Sequence, residues 1–315
     1  MKKLLLLLLM PMAVLSTSAQ INDYNMVIVL KDGTKITLGA NDVESLTFNG
    51  DALSISGNTI AEMKAEIEEL KTIIYKLHPG AFTRTYTVNG VSFKMVKVTG
   101  GTFRMGATEE QGSDASDNEY PVHSVTLSDY WIAETEVTQE LWTAIMGSNP
   151  SRFTGDSQLP VEQVGFNDCQ TFITKLNELT GMNFRMPTEA EWEFAARGGN
   201  CSQGYKYAGS NTIGDVAWYA DNSNNRPHPV STKAPNELGI YDMSGNIEEW
   251  CQDWFDLYSS ESQTNPSGPT ESSPASCRVE RGGHFHTSDD FCRVSFRAAL
   301  LTSDVYSNVG FRLAQ

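Results

Sequence analysis

His284, His286 and Cys292 follow closely on Arg281-Gly282-Gly283 and are the residues of this chain whose types and spacing could carry chemistry. On a strand, side chains two apart share a face, so both imidazoles would point one way and the thiol would follow in a short loop. Two imidazoles and a thiolate form a conceivable N/N/S set for copper or zinc. His123 and His228 with neighbouring acids could in principle serve a hydrolase. No Gly-x-Ser-x-Gly nucleophile turn accompanies them, and hydrolysis is not expected. The other cysteines, Cys169, Cys201, Cys251 and Cys277, lie too far apart for the close ligand pairs of a structural zinc site. In an exported protein the five would pair as up to two disulfides with one thiol left over, in a connectivity that spacing leaves open.

Export is what the first residues predict. Lys2-Lys3, the leucine run Leu4–Leu9, and Ser16-Thr17-Ser18-Ala19 before Gln20 have the charged, apolar, small-residue order of a secretory leader over residues 1–19. The apolar run is short for a membrane span, and no cysteine follows it to take a lipid. The expected location is the periplasm, the cell surface or the extracellular space. The formal charge is −16, from 23 Lys and Arg against 39 Asp and Glu, and loss of Lys2 and Lys3 with the leader makes it −18. Such a chain is a poor partner for nucleic acid or an anionic membrane surface. With 40% hydrophobic residues in 315 it can bury one large core or two modest ones.

Three parts follow the leader. Residues 20–53 read as a small β module: Met26–Leu30 and Lys35–Leu38 flank an Asp32-Gly33 hairpin turn, and Val43–Phe48 adds a third strand. Residues 58–79 read as a helix, since Ile60, Met63, Ile67, Leu70, Ile74 and Leu77 recur at alternating spacings of three and four. That seam suits either a short coiled coil, which would make the chain a homo-oligomer through residues 60–77, or an amphipathic linker, and His78-Pro79-Gly80 ends it. In the main domain, residues 84–315, Phe93–Val98 reads as a strand before a Gly-rich turn. Thr138 and Asn167 are expected to cap helices, and Thr188-Glu189-Ala190-Glu191 is a capping box for a third whose Trp192, Ala195 and Ala196 face inward. After Gly199 the helical period disappears into Gly, Asn, Ser and aromatic residues, which implies a loop-rich body.

Several motifs occur in a fixed order: Gly101–Gly106, Glu134-Thr135-Glu136-Val137-Thr138, Pro160-Val161, Arg185–Gly199, Leu238-Gly239-Ile240-Tyr241-Asp242-Met243-Ser244-Gly245-Asn246-Ile247-Glu248-Glu249-Trp250, Arg281-Gly282-Gly283 and Gly310-Phe311-Arg312. In this the chain resembles the formylglycine-generating enzyme, or sulfatase-modifying factor, family over about residues 88–314. The resemblance implies an α+β fold, irregular and loop-rich, of the C-type-lectin-like kind, with calcium supporting the body. The family's calcium ligands correspond to Asp242, Gly245, Ile247 and Glu249, two carboxylates and two carbonyls that suit a hard cation. A second and weaker calcium site corresponds to Asp215, Val216 and Asn222.

The resemblance also implies a departure. Family enzymes oxidise a substrate cysteine with copper held by two thiolates, a soft-ligand site. Here the first of those cysteines corresponds to Thr287, a serine of the motif corresponds to His284, and only the second cysteine survives, as Cys292. Copper is therefore not expected, nor is sulfatase activation of the usual kind. In many non-catalytic relatives a cysteine at the position of Cys251 accompanies one at Cys292, which implies a Cys251–Cys292 disulfide. Ergothioneine-type sulfoxide synthases share the domain but carry a His-rich iron-binding domain, for which residues 20–83 have neither length nor histidines. The expected role is an exported non-catalytic binding or scaffold protein that recognises a protein, peptide or glycan through loops such as Trp218–Asn225 and Trp254–Ser260. The alternative is a copper-dependent oxidase with a modified site, of which His284, His286 and Cys292 would be the remnant.

Overall fold

A computed structural model describes residues 82–270 and 276–315 in full, and the backbone of five strands before them. The chain divides into two compact units, Met1–Ile73 and Ile74–Gln315. In the first, β1 (Lys3–Leu8), within the segment read as a leader, pairs in parallel with β2 (Tyr24–Val29). Strand β2 pairs antiparallel with β3 (Lys35–Leu38), the hairpin that Asp32-Gly33 predicts. The expected third strand forms as β4 (Ser45–Asn49), but it pairs with β5 (Ala52–Ser56) in a separate two-stranded sheet. The helix expected at 58–79 lies outside the described residues.

The second unit is sheet-rich with few helices. Strands β6 (Thr83–Val88), β7 (Val91–Val98) and β10 (Tyr130–Ala133) form one antiparallel sheet with β7 central. A second contains β8 (Thr102–Met105), β9 (His123–Thr126) and β12 (Gln263–Thr264). The third, in the order β14 (Arg297–Leu301), β13 (Cys277–Arg281), β11 (Glu248–Trp254), β15 (Val309–Gly310), lies within the segment where the helical period is lost.

Helix α1 (Gln139–Met146) starts where Thr138 predicts, because the Thr138 hydroxyl accepts the Leu141 amide at 3.2 Å. Helix α2 (Phe166–Thr180) starts one residue before Asn167: Gly165 is its cap, and Asp168 reaches back to accept the Gly165 amide at 3.0 Å. Helix α3 (Glu189–Ala196) has the predicted capping box, with the Glu191 amide donating to Thr188 Oγ1 at 3.2 Å and the Thr188 amide to Glu191 Oε2 at 2.9 Å. Trp192, Ala195 and Ala196 are buried as expected, and so is the rest of the helix, acids included. Its own amphipathic pattern is therefore weak, because sheets and loops cover it on all sides.

Two large apolar clusters and a small one lie among the described residues. One gathers Val96, Val125, Ile132, Trp192 and Val279 around α3. In the other Trp142 stacks on Phe172 with ring centres 5.1 Å apart, and Phe311 meets Phe172 edge-on at 5.5 Å. Buried ion pairs supplement this core: Arg297 forks Glu189 at 2.7 Å through Nε and Nη2, and Arg293 forks Glu119 at 2.7 Å through both terminal nitrogens. Arg281 joins Glu193 to Glu189 and donates to the Val294 and Phe296 carbonyls at 3.0 and 2.7 Å. A body with so little regular structure leaves many backbone carbonyls without partners, and five-donor guanidinium groups satisfy several at once. The arginine of Arg281-Gly282-Gly283 is one of these ties.

Candidate functional site

Strand β13 ends at Arg281, and Gly282 and Gly283 follow with φ of +101° and +67°, backbone that favours glycine. The chain therefore does not continue as a strand through the histidines. It turns: the Thr287 amide donates to the His284 carbonyl at 3.0 Å and the Thr287 hydroxyl to the same oxygen at 2.8 Å. Phe285 is buried at the tip while His286 is exposed, so the two imidazoles do not share a face and their centres stand 6.5 Å apart. His284 Nδ1 accepts the His286 amide at 3.2 Å. The N/N/S set is not assembled, and the described residues contain no group of three or more His, Cys, Asp or Glu placed to hold a metal.

Cys292 is fully buried at the end of a 3-10 turn, Asp289–Cys292. Its sulfur lies 3.8 Å from Thr287 Oγ1 and 3.8 Å from the Ser288 carbonyl. Burial pushes its thiol up to about 12, so it is protonated at neutral pH. It packs with Tyr207 and Val216, whereas Cys251 belongs to the cluster around Trp192. Both are free thiols. The Cys251–Cys292 disulfide is therefore absent, for a reason of strand geometry. Alternation along β11 puts Cys251 on the face of Glu249, while the neighbouring Glu248 belongs to the opposite face and acts electrostatically on Cys292.

Glu248 and His284 form the most unusual pair near the turn. Glu248 Oε2 stands 4.0 Å from His284 Nε2. Burial raises the Glu248 carboxyl to about 7 and, with His286 nearby, lowers the His284 imidazole to about 4, so the pair is not an ion pair at neutral pH. Glu280, next to them in effect, is raised well above its usual range by burial and by Glu248, and its Oε1 has no hydrogen-bond partner.

The segment assigned to calcium is buried throughout. Asp242 adopts φ +58° and accepts the Ser231 amide at 2.7 Å on Oδ2, while Oδ1 has no hydrogen-bond partner. Glu249 is not a free ligand: Arg312 donates to its two oxygens at 2.5 and 2.6 Å, and Trp192 Nε1 donates to Oε2 at 2.8 Å. The residue that sequence reasoning missed is Glu136, whose Oε1 accepts Asn246 Nδ2 at 3.0 Å and whose Oε2 is unpartnered. It acts electrostatically on Asp242, and burial with the neighbouring acids raises both carboxyls, Asp242 to about 6. Glu136 stands in Glu134–Thr138, quoted as a motif without a role for its acid. The donor set thus fits a hard cation at Asp242 and Glu136, with Glu249 already neutralised by Arg312. The second set does not assemble. Asp215 is exposed and meets Ser210, while Asn222 uses Oδ1 on the Tyr219 amide and Nδ2 on the Ala217 carbonyl, both at 2.9 Å, to close its own turn.

The two aromatic loops differ in what they offer. Trp218 is occupied on its faces, by His228 at 3.7 Å and by the Lys233 ammonium at 4.2 Å, and its Nε1 donates to Thr232. The Trp254–Ser259 segment instead lines a cleft of about 600 Å³, with Met105, His123, Glu189, Asp253 and the Gln263–Pro269 stretch on its other walls.

The model of the "Sulfatase-modifying factor enzyme 1-like domain" matches residues 85–315. Among known proteins, the chain is 36% identical to a chaperone protein LppX of Paenibacillus barcinonensis, over 52% of this chain and 72% of that protein. It is 30% identical to a formylglycine-generating enzyme of Streptomyces coelicolor, over 68% of this chain and 84% of the enzyme. Of solved structures, Treponema denticola variable protein 1 superposes with a TM-score of 0.67 at 33% identity, covering 74% of this chain and 98% of that one. PvdO from Pseudomonas aeruginosa superposes with a TM-score of 0.61 at 25% identity, covering 75% and 98%. The chain belongs to the formylglycine-generating enzyme, or sulfatase-modifying factor, family.

Proposed function

We propose that this chain is an exported binding or scaffold protein that uses the family's domain, of C-type-lectin-like type, without the family's oxidation chemistry. The observation that carries the reading is the pairing of Thr287 with a buried, protonated Cys292 where two thiolates would be needed to clamp Cu(I). A single thiol held up near 12 by burial is a poor nucleophile at neutral pH and offers only one of the two soft ligands that a linear Cu(I) site needs. Two similar proteins, one named a chaperone protein and one a variable protein, accord with a role in recognition.

In this reading the leader delivers the chain to the periplasm, cell surface or medium, and the helix at 58–79 gathers copies so that weak contacts add. Asp242 and Glu136, with the Gly245 and Ile247 carbonyls, would hold a structural calcium ion. It would supply only charge compensation, and the chain's own residues hold the turn: Ser231 and Asn246 orient the two carboxyls through their hydrogen bonds. The test is incubation of the Cu(I)-loaded protein with a sulfatase-type cysteine peptide in air. The peptide mass should be unchanged; conversion of its thiol to an aldehyde would establish the oxidase instead.

A further inference from the structure

The cleft beside Trp254–Ser259 has walls that do not balance electrically. Asp253, Asp256 and Glu189 line it against the single guanidinium of Arg297. That guanidinium is spent, since Nε and Nη2 fork the Glu189 carboxylate at 2.7 Å and Nη1 donates to the Asp256 carbonyl at 2.8 Å. Asp253 is only 4% exposed. Its Oδ2 accepts the Glu189 amide at 2.9 Å, the first N–H of α3, and Oδ1 has no hydrogen-bond partner among the described residues. His123 adds an imidazole whose Nδ1–H donates to the Pro121 carbonyl at 3.0 Å, which leaves Nε2 as the nitrogen able to meet a ligand. Gly268 brings the far wall onto Asp253, because at its φ of +73° even a Cβ would stand 2.8 Å from the Asp253 Cβ. The cleft thus holds a buried carboxylate and an imidazole, and Arg297 is the one cation among the described residues that line it.

We propose that this cleft binds a primary ammonium group of the kind carried by a lysine side chain, with Asp253 as its counter-ion and His123 Nε2 as a second acceptor. A compact ammonium with three donors matches two acceptors lining one cleft, and a tetramethylene stem matches the apolar edge given by Met105 and Leu257. Burial and the neighbouring Glu189 raise the Asp253 carboxyl to about 7, and a cation bound beside it would lower it again. The chain's charge of −16 attracts a basic peptide over distance. This inference rests on the reading of the domain as a binding module and names its ligand.

The test is calorimetric titration of the full chain with N-acetyl-lysine N-methylamide, its Nε-acetylated form, the norleucine analogue, and cadaverine as a free amine. Binding of the charged lysine probe, with the acetylated and norleucine probes weaker by roughly tenfold or more, is expected from loss of a charge-assisted contact. Cadaverine binding more tightly than the lysine probe would make the ligand a free amine, and the reverse a peptide. Asp253→Asn keeps the acceptor for the Glu189 amide and should lose the preference; Ser259→Trp, at the exposed mouth, should block the cleft without touching the core. No titration with any amine, or equal affinity for charged and acetylated probes, overturns the inference while leaving the broader binding role intact. Aldehyde formation on a cysteine peptide would overturn that role and leave this titration unaffected.

Discussion

The hydroxyl of Thr287 stands 3.8 Å from the Cys292 sulfur, on a turn that the same hydroxyl closes by donating to the His284 carbonyl. Cys292 should therefore resist iodoacetamide in the native protein at pH 8 and react only after unfolding, as peptide mass mapping would read. Thr287→Cys should give the chain a second soft ligand and a gain of about one Cu(I) per chain, measured by competition with a chromophoric chelator. Native alkylation of Cys292 would show that burial does not hold the thiol protonated.

The bidentate pair of Arg312 with Glu249 is buried on both sides. Removing one partner leaves an uncompensated charge, so Arg312→Met should cost about 3–5 kcal/mol in urea unfolding. The double variant Arg312→Met with Glu249→Gln should recover part of that loss, and a cost equal to the sum of the single variants would deny the coupling.

Stability should fall as pH rises from 5 to 8. The folded-state carboxyls of Glu248 and Asp242 are raised to about 7 and about 6, above their unfolded values, so each contributes stability that is present in acid and lost as pH climbs through those values. Glu119 and Glu189 act in the opposite sense: lowered by Arg293 and Arg297 against the cost of burial, they contribute above their unfolded values and lose it in stronger acid. Melting temperature against pH should show a maximum in mildly acidic buffer, and Glu248→Gln should flatten its alkaline limb.

Calcium should counteract that alkaline loss if it binds the Asp242 and Glu136 carboxylates. At pH 8 a millimolar excess of calcium should raise the melting temperature relative to chelator, and Asp242→Asn should remove the response. An unchanged melt in chelator would reject the ion.

Thr188→Ala should cost about 1 kcal/mol, because the hydroxyl satisfies the Glu191 amide at the start of α3. Serine at the same position should restore it.

The sequence made local features legible and left the long-range ones hidden. The capping box at Thr188 and the Asp32-Gly33 hairpin depend on neighbours a few residues away, and both form. Asn167 failed as a cap because Gly165, two residues earlier, permits the same entry into α2 and Asp168 supplies the reciprocal bond. The histidine pair failed as a strand because two consecutive glycines in left-handed backbone reverse the chain before the second ring. Glu249 was read as a metal ligand from its motif, and nothing near it in the chain announces Arg312, 63 residues on. Glu136 and Asp242 meet only after folding, so the carboxylate pair they make is a property of the tertiary structure. The single cysteine beside Thr287, in contrast, was plain from composition and alignment with the family's motif.

The guanidinium forks that tie Glu119, Glu189, Glu193 and Glu249 into the interior have a thermal consequence. Hydration of ions weakens on heating, so the cost of keeping these charges dry shrinks just as apolar contacts stop gaining strength. A fold fastened this way should soften late and then fail abruptly, and added salt should hardly move the point of failure, because dissolved ions cannot reach the fasteners.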